Sequence, residues 1–297
     1  MLFGNRQEPT TERMAPQKKR YRMKAGKLKR RVLLLLLLAV VAVASLATTG
    51  LWSQLRSVMY NSSVSVYLPP PRVVWAFWMD LPTMSSTRRA AFDNMVDNLG
   101  VPVRLITLSN VSHYNVSWDP IHPAISEPYL SDIHKGDYLR AYFMRHYGGG
   151  YHDIKWDSND WSAAFDAFDD PNVWVVGTYE LGEKGVACDP KTANAIGTDC
   201  GQVRAQWMRL ASNVLYIMRP STPFAITWLR IINERLDAHQ EKLRQHPAPM
   251  PRCCKNGENG YPLRWAELHG EQFHPLQTLY IQHVRIGLPR WDAKPYI

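Results

Sequence analysis

Hydrophobic positions along this chain change their period several times, and each change marks a candidate element. Val73-Val74-Trp75-Ala76-Phe77-Trp78 is a continuous apolar, β-branched and aromatic run, the pattern of a strand buried on both faces. From Ser85 to Leu99 the spacing turns helical: Ala91, Met95, Val96 and Leu99 share a face, Ser85 or Ser86 is a candidate N-cap, and Gly100 is a stop. Val103–Leu108 reads as a second strand, so the body opens strand, helix, strand. Asp132–Tyr147 predicts a helix with Tyr138, Leu139, Tyr142, Phe143 and Tyr147 on one broad face, closed by Gly148-Gly149-Gly150. Tyr151–Trp156, Val173–Val176 and Val214–Met218 read as strands. Ala163–Phe168, Val203–Trp207 and Thr222–Leu243 read as helical, and Glu180–Gly201 as a loop. Strands alternating with helices predict a mainly parallel, three-layered α/β sheet whose ligands bind beyond the carboxyl ends of the strands.

A different pattern precedes this body. Val32 to Trp52 carries no charge and is long enough to span a bilayer core as a helix. A cleaved signal peptide is the competing reading, since Ser45-Leu46-Ala47 satisfies the small-residue cleavage rule. The long polar leader favours a retained signal-anchor, and the cluster Lys24–Arg31 places that leader in the cytosol. The expected layout is a basic cytosolic tail over 1–31, a transmembrane anchor over 32–52, a stem over 53–71 ending in Pro69-Pro70-Pro71, and a lumenal domain over 72–297. The expected place is a Golgi or other secretory-pathway membrane, in type II orientation. Two further features agree with a lumenal body. The sequons at Asn61, Asn110 and Asn115 all follow the apolar segment, as do all four cysteines, Cys188, Cys200, Cys253 and Cys254. Four cysteines allow three pairings, of which Cys188–Cys200 closing a short loop is preferred.

Charge sharpens this division. The chain has 35 Lys and Arg against 26 Asp and Glu, a formal +9. Residues 1–31 hold 11 of those cations and 2 of the acids, so the excess lies entirely in the tail and 24 of each sign remain in the body. A neutral body removes the motive for a phosphate-tracking face, and nucleic acid is not an expected partner. With 45% hydrophobic and 11% aromatic residues, the body is neither disordered nor collagen-like.

The segment richest in chemistry is Lys135-Gly136-Asp137-Tyr138-Leu139-Arg140, followed by His146-Tyr147-Gly148-Gly149-Gly150-Tyr151-His152-Asp153-Ile154-Lys155-Trp156-Asp157. Asp137 and Arg140, three apart on a helix, point together. After the glycine turn, a strand of period two puts Asp153, Lys155 and Asp157 on one side. Such a gathering of carboxylates and cations can hold a divalent cation with a diphosphate and orient sugar hydroxyls. A plain salt-bridge network after a helix C-cap is the competing structural reading.

The order of an apolar Trp-containing first strand, K-x-D-x-x-R and Y-G-G-x-Y-x-D resembles glycosyltransferase family 32 and the capsular-polysaccharide-synthesis group, whose relatives include yeast Golgi mannosyltransferases. The resemblance runs from Val73 to about Pro275 and is strongest over Lys135–Lys155. It implies a GT-A fold, a nucleotide diphosphate sugar donor, Mn²⁺ or Mg²⁺, and transfer of a hexose to a glycan or glycoconjugate acceptor with retention. It also implies roles: Asp137 and Arg140 bind the donor sugar, Asp153 is the first Asp of the D-x-D metal motif, and Trp78 borders the nucleotide base. Asn213 falls on the acceptor side, and His274 or His269, within the closing C-terminal segment, completes the metal or diphosphate site. The loop Glu180–Gly201 is a candidate acceptor lid.

One departure from the family pattern matters. Lys155 stands where the group has the second Asp of D-x-D, and a protonated lysine repels a metal ion. Three outcomes follow. Lys155 pairs with the donor diphosphate in place of the metal, Asp157 takes over ligation, or the protein binds without catalysing. The catalytic candidates are therefore Asp153, Lys155 and Asp157, with Asp153, Asp157 and His274 as the candidate metal set.

Overall fold

The computed structural model describes residues 67–248 and 260–292. The basic tail, the candidate anchor, Asn61, most of the stem and Cys253-Cys254 lie outside the described residues. Among the described residues no helix is long and apolar enough to cross a membrane.

The strands are β1 (Val74–Phe77), β2 (Val103–Ile106), β3 (Gly149–His152), β4 (Val175–Tyr179), β5 (Ala211–Met218) and β6 (Val284–Ile286). The α-helices are α1 (Ser86–Asn98), α2 (Asp132–His146), α3 (Pro190–Ala195), α4 (Cys200–Ala205), α5 (Pro223–Gln245) and α6 (Gly270–Leu279). One six-stranded sheet results, in the order β2-β1-β3-β5-β4-β6. β1 runs parallel to β2 and β3, and β4 parallel to β6, whereas β5 is antiparallel to both β3 and β4. The expected mainly parallel sheet is thus corrected to a mixed one, with β5 alone reversed. The reason is local: β4 and β5 are joined by a segment with only short helices, and a return without a full crossover brings the chain back antiparallel.

The three layers follow from alternation along the strands. Trp75, Val175, Tyr216 and Met218 enter one core with Tyr138, Tyr142 and Phe143 of α2, Phe224 and Trp228 of α5, and Phe273 of α6. Their neighbours Val74, Ala76, Val176, Leu215 and Ile217 enter a second core with Ala91 and Met95 of α1 and with Trp161, Phe165 and Phe168. Each apolar side chain removed from water in this way contributes roughly 1.5–3 kcal/mol before the cost of ordering it.

Cys188 and Cys200 form a disulfide with a Cα–Cα distance of 5.7 Å, the preferred pairing. The expected loop around them contains α3, capped by the Asp189 side chain accepting from Thr192 N. Arg235 of α5 clamps that cap, bonding Asp189 at 2.5 Å and Glu267 at 2.9 Å. Of the two described sequons, Asn115 is exposed, whereas the Asn110 side chain accepts from Thr107 N and donates to Leu105 O.

Candidate functional site

The site is built where α2 passes the carboxyl ends of β1 and β3. α2 starts at Ser131, whose hydroxyl accepts from His134 N. It ends at Gly148, with φ +65, where an added Cβ would stand 2.5 Å from Pro220 Cδ, so only glycine fits the turn into β3. β3 is short and ends at His152, which leaves Asp153 just past the strand with its N–H donating to Val214 O of β5 at 2.9 Å. The expected strand through Trp156 is therefore corrected: Asp153, Lys155 and Asp157 are not spaced by a strand period.

Asp137 and Arg140 do point together, at 3.5 Å. Arg140 also bonds Asp153 Oδ1 at 3.2 Å, donates to His269 Nδ1 at 2.6 Å, and lies 4.3 Å over the Tyr151 ring. Tyr151 donates its hydroxyl to Asp153, and Lys155 Nζ stands 3.2 Å from Asp153 Oδ2. These contacts set the charges. Burial pushes Asp137 up to about 7, against the pull of Arg140. Burial would also raise Asp153, but Arg140, Lys155 and the Tyr151 hydroxyl outweigh it and hold the carboxyl below its ordinary range. Burial likewise keeps Tyr151 a phenol, and burial with the Arg140 charge keeps His269 neutral, which suits it to accept from the guanidinium.

Over this cluster opens a cavity of about 380 Å³. Phe77, Trp78, Met79 and Arg88 form one wall, Arg140, Tyr151 and Asp153 stand at the sheet end, and Asp132, Ile133, Gly136 and Trp265 complete it. Trp78 thus lines the cavity, whereas Lys155 and the buried Asp137 are not among its lining residues. Asn213 lies beside it through its backbone: Arg140 Nη1 is 3.5 Å from Asn213 O, while Asn213 N donates to Glu180 Oε1 at 3.0 Å.

The candidate metal set is not assembled. Asp157 is fully buried, with Oδ2 accepting from His152 Nε2 at 2.9 Å and Oδ1 from Asn159 N at 3.0 Å. His274 is also fully buried, between Glu180 Oε1 at 3.0 Å and Ala187 O at 3.1 Å. Asp153 contacts Arg140, Lys155 and the Tyr151 hydroxyl instead of Asp157 or His274. The residues present do not fit a divalent ion held jointly by Asp153, Asp157 and His274, so no step is derived through such an ion. His269, by contrast, belongs to the Arg140 cluster.

Sequence reasoning missed three participants. Tyr151 lay inside the quoted motif without a role. Arg88 carried a signal: Arg88 and Arg89 sit in the first turn of α1, where cations oppose the helix dipole, an arrangement helix stability alone does not favour. In the structure Arg88 Nη1 donates to Ile154 O at 2.5 Å. Gly136 reaches the cavity only through tertiary packing, and Trp265, also on the cavity, lies in the C-terminal segment that the family resemblance sets over the donor.

The fold and site together define an α/β protein with a mixed, helix-flanked sheet and a cavity of mixed charge at the carboxyl ends of its strands. No protein-family model, curated protein or solved structure matches this chain.

Proposed function

We propose that this chain is a glycosyltransferase of GT-A type, related to family 32, that moves a hexose from a nucleotide diphosphate sugar to a glycan or glycoconjugate acceptor from a secretory-pathway membrane. The observation that carries the reading is the joint placement of Arg140, Tyr151 and Asp153 on a cavity of about 380 Å³, the size class of a small-molecule site. In the reaction the bond between the anomeric carbon and the diphosphate oxygen breaks, the nucleoside diphosphate leaves, and the acceptor hydroxyl bonds the same carbon and passes its proton to the departing diphosphate oxygen.

The residues divide that work. Arg140, paired with the buried Asp137, holds sugar hydroxyls, Trp78 borders the base, and Arg88, with Lys155 beside Asp153, neutralises the departing diphosphate. Lys155, in place of Mn²⁺ or Mg²⁺, supplies the cation beside Asp153. A nucleotide sugar bound by the full chain raises its melting temperature, so a panel containing UDP-glucose, UDP-galactose and GDP-mannose tests the reading directly. Asp153→Asn is expected to abolish transfer while the variant remains folded, and transfer is expected to be unchanged by a chelator. Full transfer in the variant sinks the assignment. Arg140→Ala is a poorer probe, since it strips a buried partner from both Asp137 and Asp153.

A second reading is a binding protein without catalysis, and the Lys155–Asp153 contact of 3.2 Å favours it by neutralising the carboxylate. It predicts nucleotide-sugar binding with no transfer to any acceptor.

A further inference from the structure

Gly136 sits in the interior of α2, a place where glycine weakens a helix relative to alanine. Two structural reasons usually justify such a residue, and neither applies. Its φ is not positive, and an added Cβ would meet nothing within 4 Å, so no neighbouring backbone presses on it. The open space belongs to the charged cavity, which Gly136 lines. Asp132 and Ile133 lie one turn before it and Arg140 one turn after, so all four share a helix face, and all four line the cavity. The missing side chain carries the cavity onto the bare backbone of the helix.

Trp265 supplies the other half of the argument. It lines the same cavity yet remains 50% exposed, a large indole surface held at the rim. An apolar aromatic face near a carboxylate and a guanidinium matches the two sides of a pyranose ring. The C–H face of such a ring packs on aromatic surfaces and its hydroxyls bond charged side chains, of which this cavity offers Asp132, Arg140 and Asp153.

We propose that Gly136 and Trp265 form a pyranose subsite, in which the ring lies against the α2 backbone and the absent Cβ at position 136 sets the size of sugar admitted. This rests on the reading of the cavity as a sugar site. The ring is that of the donor or of the acceptor, and the test separates them. The full chain, Gly136→Ala, Gly136→Leu and Trp265→Ala are titrated with UDP, GDP, their hexose conjugates and methyl hexosides.

Gly136→Ala is expected to raise the melting temperature by about 2 °C, because the helix gains and nothing clashes. Gly136→Leu and Trp265→Ala are expected to weaken sugar binding tenfold or more with nucleoside diphosphate binding unchanged. Loss confined to the nucleotide sugars places the donor ring here, and loss confined to the methyl hexosides places the acceptor ring. Wild-type affinity for every sugar in Gly136→Leu overturns the subsite while leaving the transfer reading intact. Failure of the wild type to bind any nucleotide or nucleotide sugar sinks the transfer reading instead, and the methyl hexosides then decide the subsite alone. No response to any sugar overturns both.

Discussion

Asp153 and Asp157 leave the end of β3 only four residues apart, yet they serve different regions of the molecule. The Asp153 side chain is 27% exposed and faces Arg140, Lys155 and the cavity. Asp157 is sealed, its two oxygens taken by His152 and Asn159 and its N–H donating to Asn94 of α1. His152 in turn stacks on buried Trp161 at 5.2 Å. One carboxylate has cations to share with a ligand. The other is a closed knot between the strand end and the second core. What separates them is partner chemistry: a group whose acceptors are all satisfied by its own fold has nothing to offer a substrate.

The largest expected effect tests that separation through stability. Asp157→Ala leaves the buried His152 ring and Asn159 without their carboxylate, at a cost of about 4 kcal/mol. That lowers the melting temperature by about 10 °C. Asp153→Asn keeps a group that accepts from Tyr151 and leaves Arg140 its contact with Asp137, so its cost is about 2 kcal/mol or less. Calorimetry on the two variants measures both, and equal losses would erase the distinction between a structural and a ligand-facing carboxylate.

Two buried groups of α2 form a second pair, and theirs reads out in pH. His134 is a sealed group, its ring between Ser131, the Tyr261 hydroxyl and Arg264 O, with the Glu267 charge acting on it. Burial pushes it down to about 4 from an ordinary 6.5. Its contribution is therefore complete above pH 6.5 and is lost, to about 3 kcal/mol, as pH falls to 4. Asp137, raised by burial to about 7, works with the opposite sign: its protonated form is the one the fold prefers, so it adds stability as pH falls through 7 toward 3.8. The two oppose each other over the acid range. The stability difference between wild type and His134→Asn, followed by denaturant titration, isolates the histidine. It is expected to shrink by about 3 kcal/mol between pH 6.5 and 4, and a constant difference would show that the ring takes its proton while buried.

These particulars also explain what the sequence could and could not convey. β1 follows from its continuous apolar run, α1, α2 and α5 follow from helical periodicity, and Asp137 with Arg140 follows from helix geometry alone. The Cys188–Cys200 pairing follows from the short loop it closes. The period-two inference failed past His152 because the chain leaves the sheet there, a fact fixed by β5 pairing with only four residues of β3. α6 was not anticipated because Gly270 and an internal Pro275 mask its helical pattern, and β6 because a three-residue edge strand has almost no period to detect. Arg88 reaches the site from α1, and its arrival depends on packing between distant elements, which no local pattern encodes.

The smallest expected effect concerns the residue that makes the two carboxylates differ most. Lys155 approaches Asp153 at 3.2 Å and lies 4.8 Å over the Trp291 ring, which holds its ammonium in place. If that ammonium serves the diphosphate, Lys155→Gln weakens UDP or GDP binding about tenfold, near 1.4 kcal/mol, and flattens its salt dependence, while Lys155→Arg retains most of the affinity. If the ammonium only neutralises Asp153, the Gln variant binds as tightly as the wild type and its salt dependence is unchanged. Lys155→Asp carries the comparison to its limit. It replaces the cation beside Asp153 with a second carboxylate, the one change that would give this end of β3 the donor set of a hard divalent ion. Nucleotide binding in that variant is expected to become dependent on Mn²⁺, and binding that stays indifferent to the metal would mean that Asp153 is oriented by Arg140 and Tyr151 alone.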